Sequence, residues 1–137
     1  MHVNPYLMFD GRTEEALAFY QQAIGAEVTV LMRFKENPEP PYNPPGSDEM
    51  IMHAGFMVGD SMIMATDGEC GGKANFGGIS LALTVPTAGE AEKLFLALLD
   101  GGGKEQMPMT ETFFAERFGV VADKFGVSWM VLGGGKV

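Results

Sequence analysis

The chain has 137 residues, of which 46% are hydrophobic and 20% charged, values of a globular chain long enough for one domain or two small fused modules. Eighteen acidic residues against nine basic ones give a formal net charge of −9, a field that repels phosphate backbones, so nucleic acid is not an expected partner. No apolar run nears the roughly 20 residues of a membrane span. No basic segment leading into an apolar stretch opens the chain, so no membrane or secretory signal is expected and the expected setting is the cytoplasm.

Residues 3–9 read as a short strand entered through Pro5. From Glu14 to Ile24 the pattern turns helical, with Ala16, Phe19, Tyr20, Ala23 and Ile24 forming one apolar stripe. Asp10 or Thr13 can cap its start, and Gly25 can end it in the left-handed conformation. A strand rich in Val, Thr and Leu spans about 26–35. Residues 36–48 hold five of the eight prolines and cannot sustain a ladder or a helix, so they form an extended loop, either a lid or contact arm or plain surface decoration.

Met50–Val58 and Ser61–Thr66 read as a hairpin joined through Gly59-Asp60. A Gly-rich loop covers 68–78. The lone Cys70 lies within it, where it can form no internal disulfide, and it reads as an incidental loop thiol. Ile79–Val85 is the next strand, stopped by Pro86. Thr87-Ala-Gly-Glu90 has the spacing of a capping box, and Ala91, Leu94, Phe95 and Leu98 make the stripe of the helix it opens, which ends at Gly101-Gly-Gly. A strand near 104–110, a mixed stretch with Phe113 and Phe114, and strands at Phe118–Ala122 and Val127–Leu132 around the turn Asp123–Gly126 complete the chain.

The order is strand, helix, three strands, and then the same again. The two helices begin about 75 residues apart, which implies two copies of one unit. The expected fold is therefore α+β, with two βαβββ modules at residues 1–67 and 78–137 of a single domain 1–137. Each module must bury a sheet face against its twin or a second chain, enclosing a cleft between curved mixed sheets.

Local motifs carry a resemblance. Asn4-Pro-Tyr-Leu-Met-Phe-Asp-Gly11, Glu14-Glu-Ala16, Phe19-Tyr20, Met52-His-Ala54 with Gly59-Asp60 and Asp67, Glu111-Thr-Phe-Phe-Ala-Glu-Arg-Phe-Gly-Val, and Asp123-Lys-Phe-Gly-Val-Ser-Trp-Met130 resemble the PhnB-like branch of the vicinal-oxygen-chelate (glyoxalase, bleomycin-resistance and dioxygenase) superfamily. One departure is local: many relatives have Trp and Gly where this chain has Phe114 and Ala115. The resemblance implies paired βαβββ modules and a homodimer. Metal-dependent members present His or Glu from four strands, two per module. Here those positions fall at or next to Pro5, near Met64, near Ser80 and near Met130, none of which suits Zn, Ni, Fe or Mn. The expectation is no metal and no cofactor. Some PhnB-like proteins carry a demethylubiquinone methyltransferase description, which the absence of a Gly-rich nucleotide loop and acidic ribose partner argues against here.

Without those ligands, the expected cleft lining is Leu7, Met62, Met64, Ser80, Ala82 and Met130, an apolar and soft surface suited to a small organic molecule. His53 reads either as a satisfied structural histidine or as an acid, base or hydrogen-bond donor. Asp67 either orients His53 or caps the turn into Gly68. Phe113 and Phe114, with Glu111, Glu116 and Arg117 beside them, form a wall for a flat polar ligand or pack between modules with the charges in water. Ser80 and Thr84 have no base near them in sequence, so nucleophilic catalysis lacks support. Two function classes follow: a metal-free small-molecule binder, or an enzyme of lyase, isomerase or dioxygenase type using His53 as acid or base, with or without a metal at a non-standard site.

Overall fold

The structure, a computed structural model, describes residues 1–38, 43–68 and 73–137. Cys70, the centre of the Pro-rich stretch and part of the Gly-rich loop lie outside the described residues. The fold is α+β, with two four-stranded mixed sheets and one helix on each. The chain divides into two compact units, Met1–Asn75 and Phe76–Val137. No helix among the described residues is long and apolar enough to cross a membrane.

In the first unit, β1 (Tyr6–Met8), α1 (Thr13–Ile24), β2 (Glu27–Arg33), β3 (Ile51–Val58) and β4 (Ser61–Thr66) form a sheet ordered β1-β4-β3-β2. β1 runs parallel to β4 and the other pairs are antiparallel. The helix seals one sheet face with Ala16, Leu17 and Tyr20, all buried. Tyr20 stacks on Phe56 with ring centroids 5.7 Å apart, and burying two such rings stabilises the unit by roughly 2 kcal/mol each. The stripe differs from the predicted one: Leu17 is buried while Phe19 is half-buried. Gly25 ends the helix at φ 68°, and its N–H donates to the Tyr20 carbonyl.

The start of α1 differs more. Neither Asp10 nor Thr13 caps it: the N-cap residue is Arg12, without a side-chain cap. The Thr13 hydroxyl is buried and has no partner among the described residues. A distant carboxylate, Asp67, takes its place.

The second unit repeats the plan. β5 (Ser80–Val85), α2 (Ala88–Leu99), β6 (Lys104–Thr110), β7 (Ala115–Ala122) and β8 (Ser128–Gly135) form a sheet ordered β5-β8-β7-β6, with β5 parallel to β8. Thr87 Oγ1 accepts from the Glu90 N–H, but Glu90 takes the Thr87 hydroxyl in return rather than its backbone N–H, so the predicted box is half made. β7 begins at Ala115, earlier than expected, because Thr112 ties the preceding turn: its hydroxyl accepts from the N–H groups of Phe114 and Ala115.

Candidate ligand-binding site

Strand register decides which side chains point away from each helix, since neighbours along a strand alternate faces. In the first unit Phe56 faces α1, and so do Ile63 opposite it, the Ala54–Ala65 pair, and Leu7 beside Ala65. The other face carries Tyr6 and Met8 from β1, Met62 and Met64 from β4, His53 and Met57 from β3, and Met32 from β2. Leu7, expected on the site face with Met62 and Met64, is thus on the covered face, 7% exposed. A one-residue difference in strand parity moves the whole set. Tyr6 and Met8 take its place, 41% and 38% exposed.

His53 has a partner on that face. The Tyr6 hydroxyl lies 2.8 Å from His53 Nδ1, and the two rings are 5.7 Å apart. If the phenol donates, His53 carries its proton on Nε2; if Nδ1–H donates, the phenol keeps its own hydrogen. Either way one donor of the pair is left for a third group. Burial pushes the Tyr6 phenol above its usual value, so it stays neutral near pH 7.

Asp67 belongs to the architecture instead. Oδ1 accepts from the N–H groups of Gly11 and Thr13, and Oδ2 from that of Ile51, each at 2.9 Å. It neither orients His53 nor caps the turn into Gly68, whose N–H donates to Thr66 Oγ1. Three backbone amides engage both oxygens of a carboxylate that the hairpin pairing suggested beside the histidine.

In the second unit a Cβ on Gly133 would strike the Thr87 carbonyl and the Ala91 Cβ, so Gly133 faces α2. Its register partner Arg117 does too, and Arg117 Nε reaches Glu92 on α2 at 2.6 Å. Arg117 is therefore on the opposite side from Met130, and the expected wall loses its cation. Ser80, Ala82 and Met130 do share the face away from the helix. Phe118, on that same face, receives Phe114 edge-on at 5.1 Å, and Phe113 lies edge-on to Phe114 but 85% exposed. Glu111 pairs with Lys136. A polar row went unread from sequence: Ser80 donates to Ser128 Oγ at 2.8 Å, and Ser128 to Gln106 Oε1 at 3.0 Å. No local signal could have shown it, since it needs the β5–β8 register and the irregularity in β6 at Gln106.

A family model described as 3-demethylubiquinone-9 3-methyltransferase matches residues 1–132. The chain belongs to this PhnB-like family. Protein PA1353 from Pseudomonas aeruginosa is similar at 38% identity, with 98% of each chain covered and a TM-score of 0.82. A PhnB protein from Bacillus cereus is 29% identical over 97% of this chain and 99% of that one, at a TM-score of 0.79. The fold alone is shared with the fosfomycin resistance protein FosX from Listeria monocytogenes, at 12% identity, 98% and 92% coverage and a TM-score of 0.66. This is the vicinal-oxygen-chelate fold.

Metal-using members of that superfamily need hard or borderline donors on these faces. The PhnB-like chain places thioethers there at Met64 and Met130, a phenol at Tyr6 and a hydroxyl at Ser80. No three His, Cys, Asp or Glu side chains converge among the described residues. These residues do not fit the superfamily's metal, because a thioether prefers soft ions and an alcohol is a poor ligand when neutral.

Proposed function

We propose that this PhnB-like protein is a cytoplasmic homodimer that binds a flat, oxygen-bearing organic molecule on the methionine-lined face of its first sheet, without a metal. The observation carrying this reading is the Tyr6–His53 hydrogen bond, set among Met8, Met62 and Met64. Methionine sulfur and methyl groups conform to a ring, while the pair's spare donor meets a ligand oxygen. The family's description names a demethylubiquinone, a ring of this kind. Half-exposed apolar side chains on the sheet support self-association, and the single cysteine fits a reducing compartment.

Hydroxylated aromatics screened by thermal shift should raise the melting temperature of the wild type, and Tyr6→Phe and His53→Gln should lose that gain while keeping their own melting point. Stabilisation that survives both substitutions sinks the reading. A metal assay on protein purified without chelator should find below about a tenth of an equivalent. Sedimentation of a monomer at micromolar concentration would remove the dimer.

A second reading draws on the same pair. A histidine hydrogen-bonded to a phenol is a competent acid–base unit, so the bound molecule is either held or transformed. Recovery of the ligand unchanged favours binding. Turnover abolished by His53→Ala in folded protein favours an enzyme.

A further inference from the structure

On the α2 side of the second sheet, between α2 and the edge strand β6, an open groove of about 290 Å³ is lined by Glu92, Phe95, Leu96, Glu105, Pro108 and Met109. The Tyr6–His53 pair belongs to the other unit and shares none of these residues. We propose that this groove binds a small amphiphilic organic cation, an alkyl- or arylalkylammonium.

The apolar part is built into the fold. Phe95 is buried and Met109 half-buried, and both sit over Gly119, where a Cβ would meet Met109 Sδ at 2.6 Å and Phe95 Cε2 at 2.9 Å. Glycine in the strand therefore lets a ring and a thioether lie against the sheet as a soft floor. Leu96 stands 63% exposed on the helix wall, and Pro108 is exposed on the strand opposite. One exposed leucine means little, but beside this floor it extends a continuous apolar strip.

Charge selects the ligand. Of the two carboxylates in the groove, Glu92 is matched by Arg117, while Glu105 enters no ion pair among the described residues. The whole chain carries −9, so an anion is repelled, and a neutral chain gains nothing from the exposed Glu105 carboxylate. An ammonium on an apolar stem answers both parts of the groove. A peptide strand added to β6 fits poorly: Pro108 offers no N–H, and the β6–β7 register breaks twice, between Glu105 and Met107 and between Met107 and Thr110. The volume also lies at the lower end of ligand pockets, roughly 300 Å³ and above, which suits a small molecule.

The test is titration of the full chain, with methyl-labelled methionine, by n-octylammonium below its micellar concentration, against n-octanol and n-octanoate. Saturable shifts at Met109 with Met62 and Met64 unmoved are expected, with octylammonium binding about tenfold or more tighter than octanoate. Glu105→Gln should weaken octylammonium roughly three- to tenfold and leave octanol unchanged, and added salt should act in the same direction. Leu96→Lys, at an exposed position, should abolish binding of the cation without lowering the melting temperature. Equal binding of octanoate, an unaltered affinity in Glu105→Gln, or shifts confined to Met62 and Met64 would each overturn the proposal.

Discussion

The start of α1 is held by a side chain 54 positions away, whereas the start of α2 is held by the Thr87 hydroxyl, which accepts from the Glu90 N–H only three residues on. In the first unit Asp67 joins the Gly11 turn, the first helical N–H and the first residue of β3 at the end of β4. In the second unit Thr87 suffices for the helix, and the buried carboxylate is used elsewhere. Asp123 closes the β7–β8 hairpin by accepting from the Phe125 and Val127 N–H groups and the Trp129 indole. One βαβββ plan is thus secured by a long-range clamp in one copy and by local caps in the other. The cap of the first helix is supplied from the end of β4, and that of the second from the residue next to the helix itself.

The sharpest way to break the comparison is at the caps. Asp67→Ala leaves three amides without their acceptor, at about 1–3 kcal/mol for each buried group, so a loss of roughly 3 kcal/mol or more is expected in urea denaturation. Thr87→Ala removes one exposed cap and should cost about 1 kcal/mol. Equal losses would mean that the long-range clamp contributes no more than an ordinary helix cap.

A second contrast lies in what a glycine in each sheet faces. A Cβ on Gly133 would run into the Thr87 carbonyl and come within 2.6 Å of the Ala91 Cβ, both fixed by the helix. At Gly55 in the first sheet the nearest atoms are Met62 Sδ and Thr29 Oγ1, each at 3.4 Å and on the face away from α1. Gly133→Ala should therefore destabilise by about 1–3 kcal/mol, and Gly55→Ala by less than about 1 kcal/mol. Gly55→Ala has a second use, because it adds a methyl beside Met62 and should weaken ligand binding on that face more than it lowers the melting temperature.

The element order was legible because each helix has an apolar stripe and several strand runs are bounded by Gly or Pro, as at Gly25, Gly59-Asp60 and Pro86. The β6–β7 connection has neither, and there the start of β7 was missed. The resemblance to the PhnB-like branch read the same way, and the family match agrees with it. The face of β1 was not legible. Tyr6, Leu7, Met8 and Phe9 are all apolar, so the strand has no alternation to say which side meets the helix, and Leu7 was placed on the wrong one. Asp67 and Arg117 misled for a related reason. The hairpin pairing suggested Asp67 beside His53, and chain proximity suggested Arg117 beside Phe114, but the carboxylate accepts from the amides of Gly11, Thr13 and Ile51 and the guanidinium reaches Glu92, all on other elements. The Tyr6–His53 bond joins residues 47 apart, from β1 to β3 across the intervening β4, and no local pattern records that strand order.

The smallest expected effect separates the units by pH. In the first unit Glu14 is held below its usual value chiefly by the hydrogen bond from Arg33, and Glu49 by that from Lys35. In the second unit Glu111 is held down by Lys136. All three have folded values depressed relative to the unfolded chain. The stability they contribute is therefore complete above the ordinary carboxylate value of 4.5 and is lost as pH falls through the lower folded values. These pairs are exposed, so salt screens them and the slope should be shallow. Arg33 is held more firmly than Lys136: it meets Glu14 through two nitrogens and donates to the Glu49 carbonyl at 2.7 Å, with its side chain 24% exposed. Lys136 has one nitrogen, a carbonyl contact to Thr112 at 3.0 Å and 34% exposure. Arg33→Met should flatten the acid limb of a melting-temperature profile below about pH 4.5, whereas Lys136→Met should change it less. A larger change from Lys136→Met would place the stronger charge clamp in the second unit and reverse this part of the comparison.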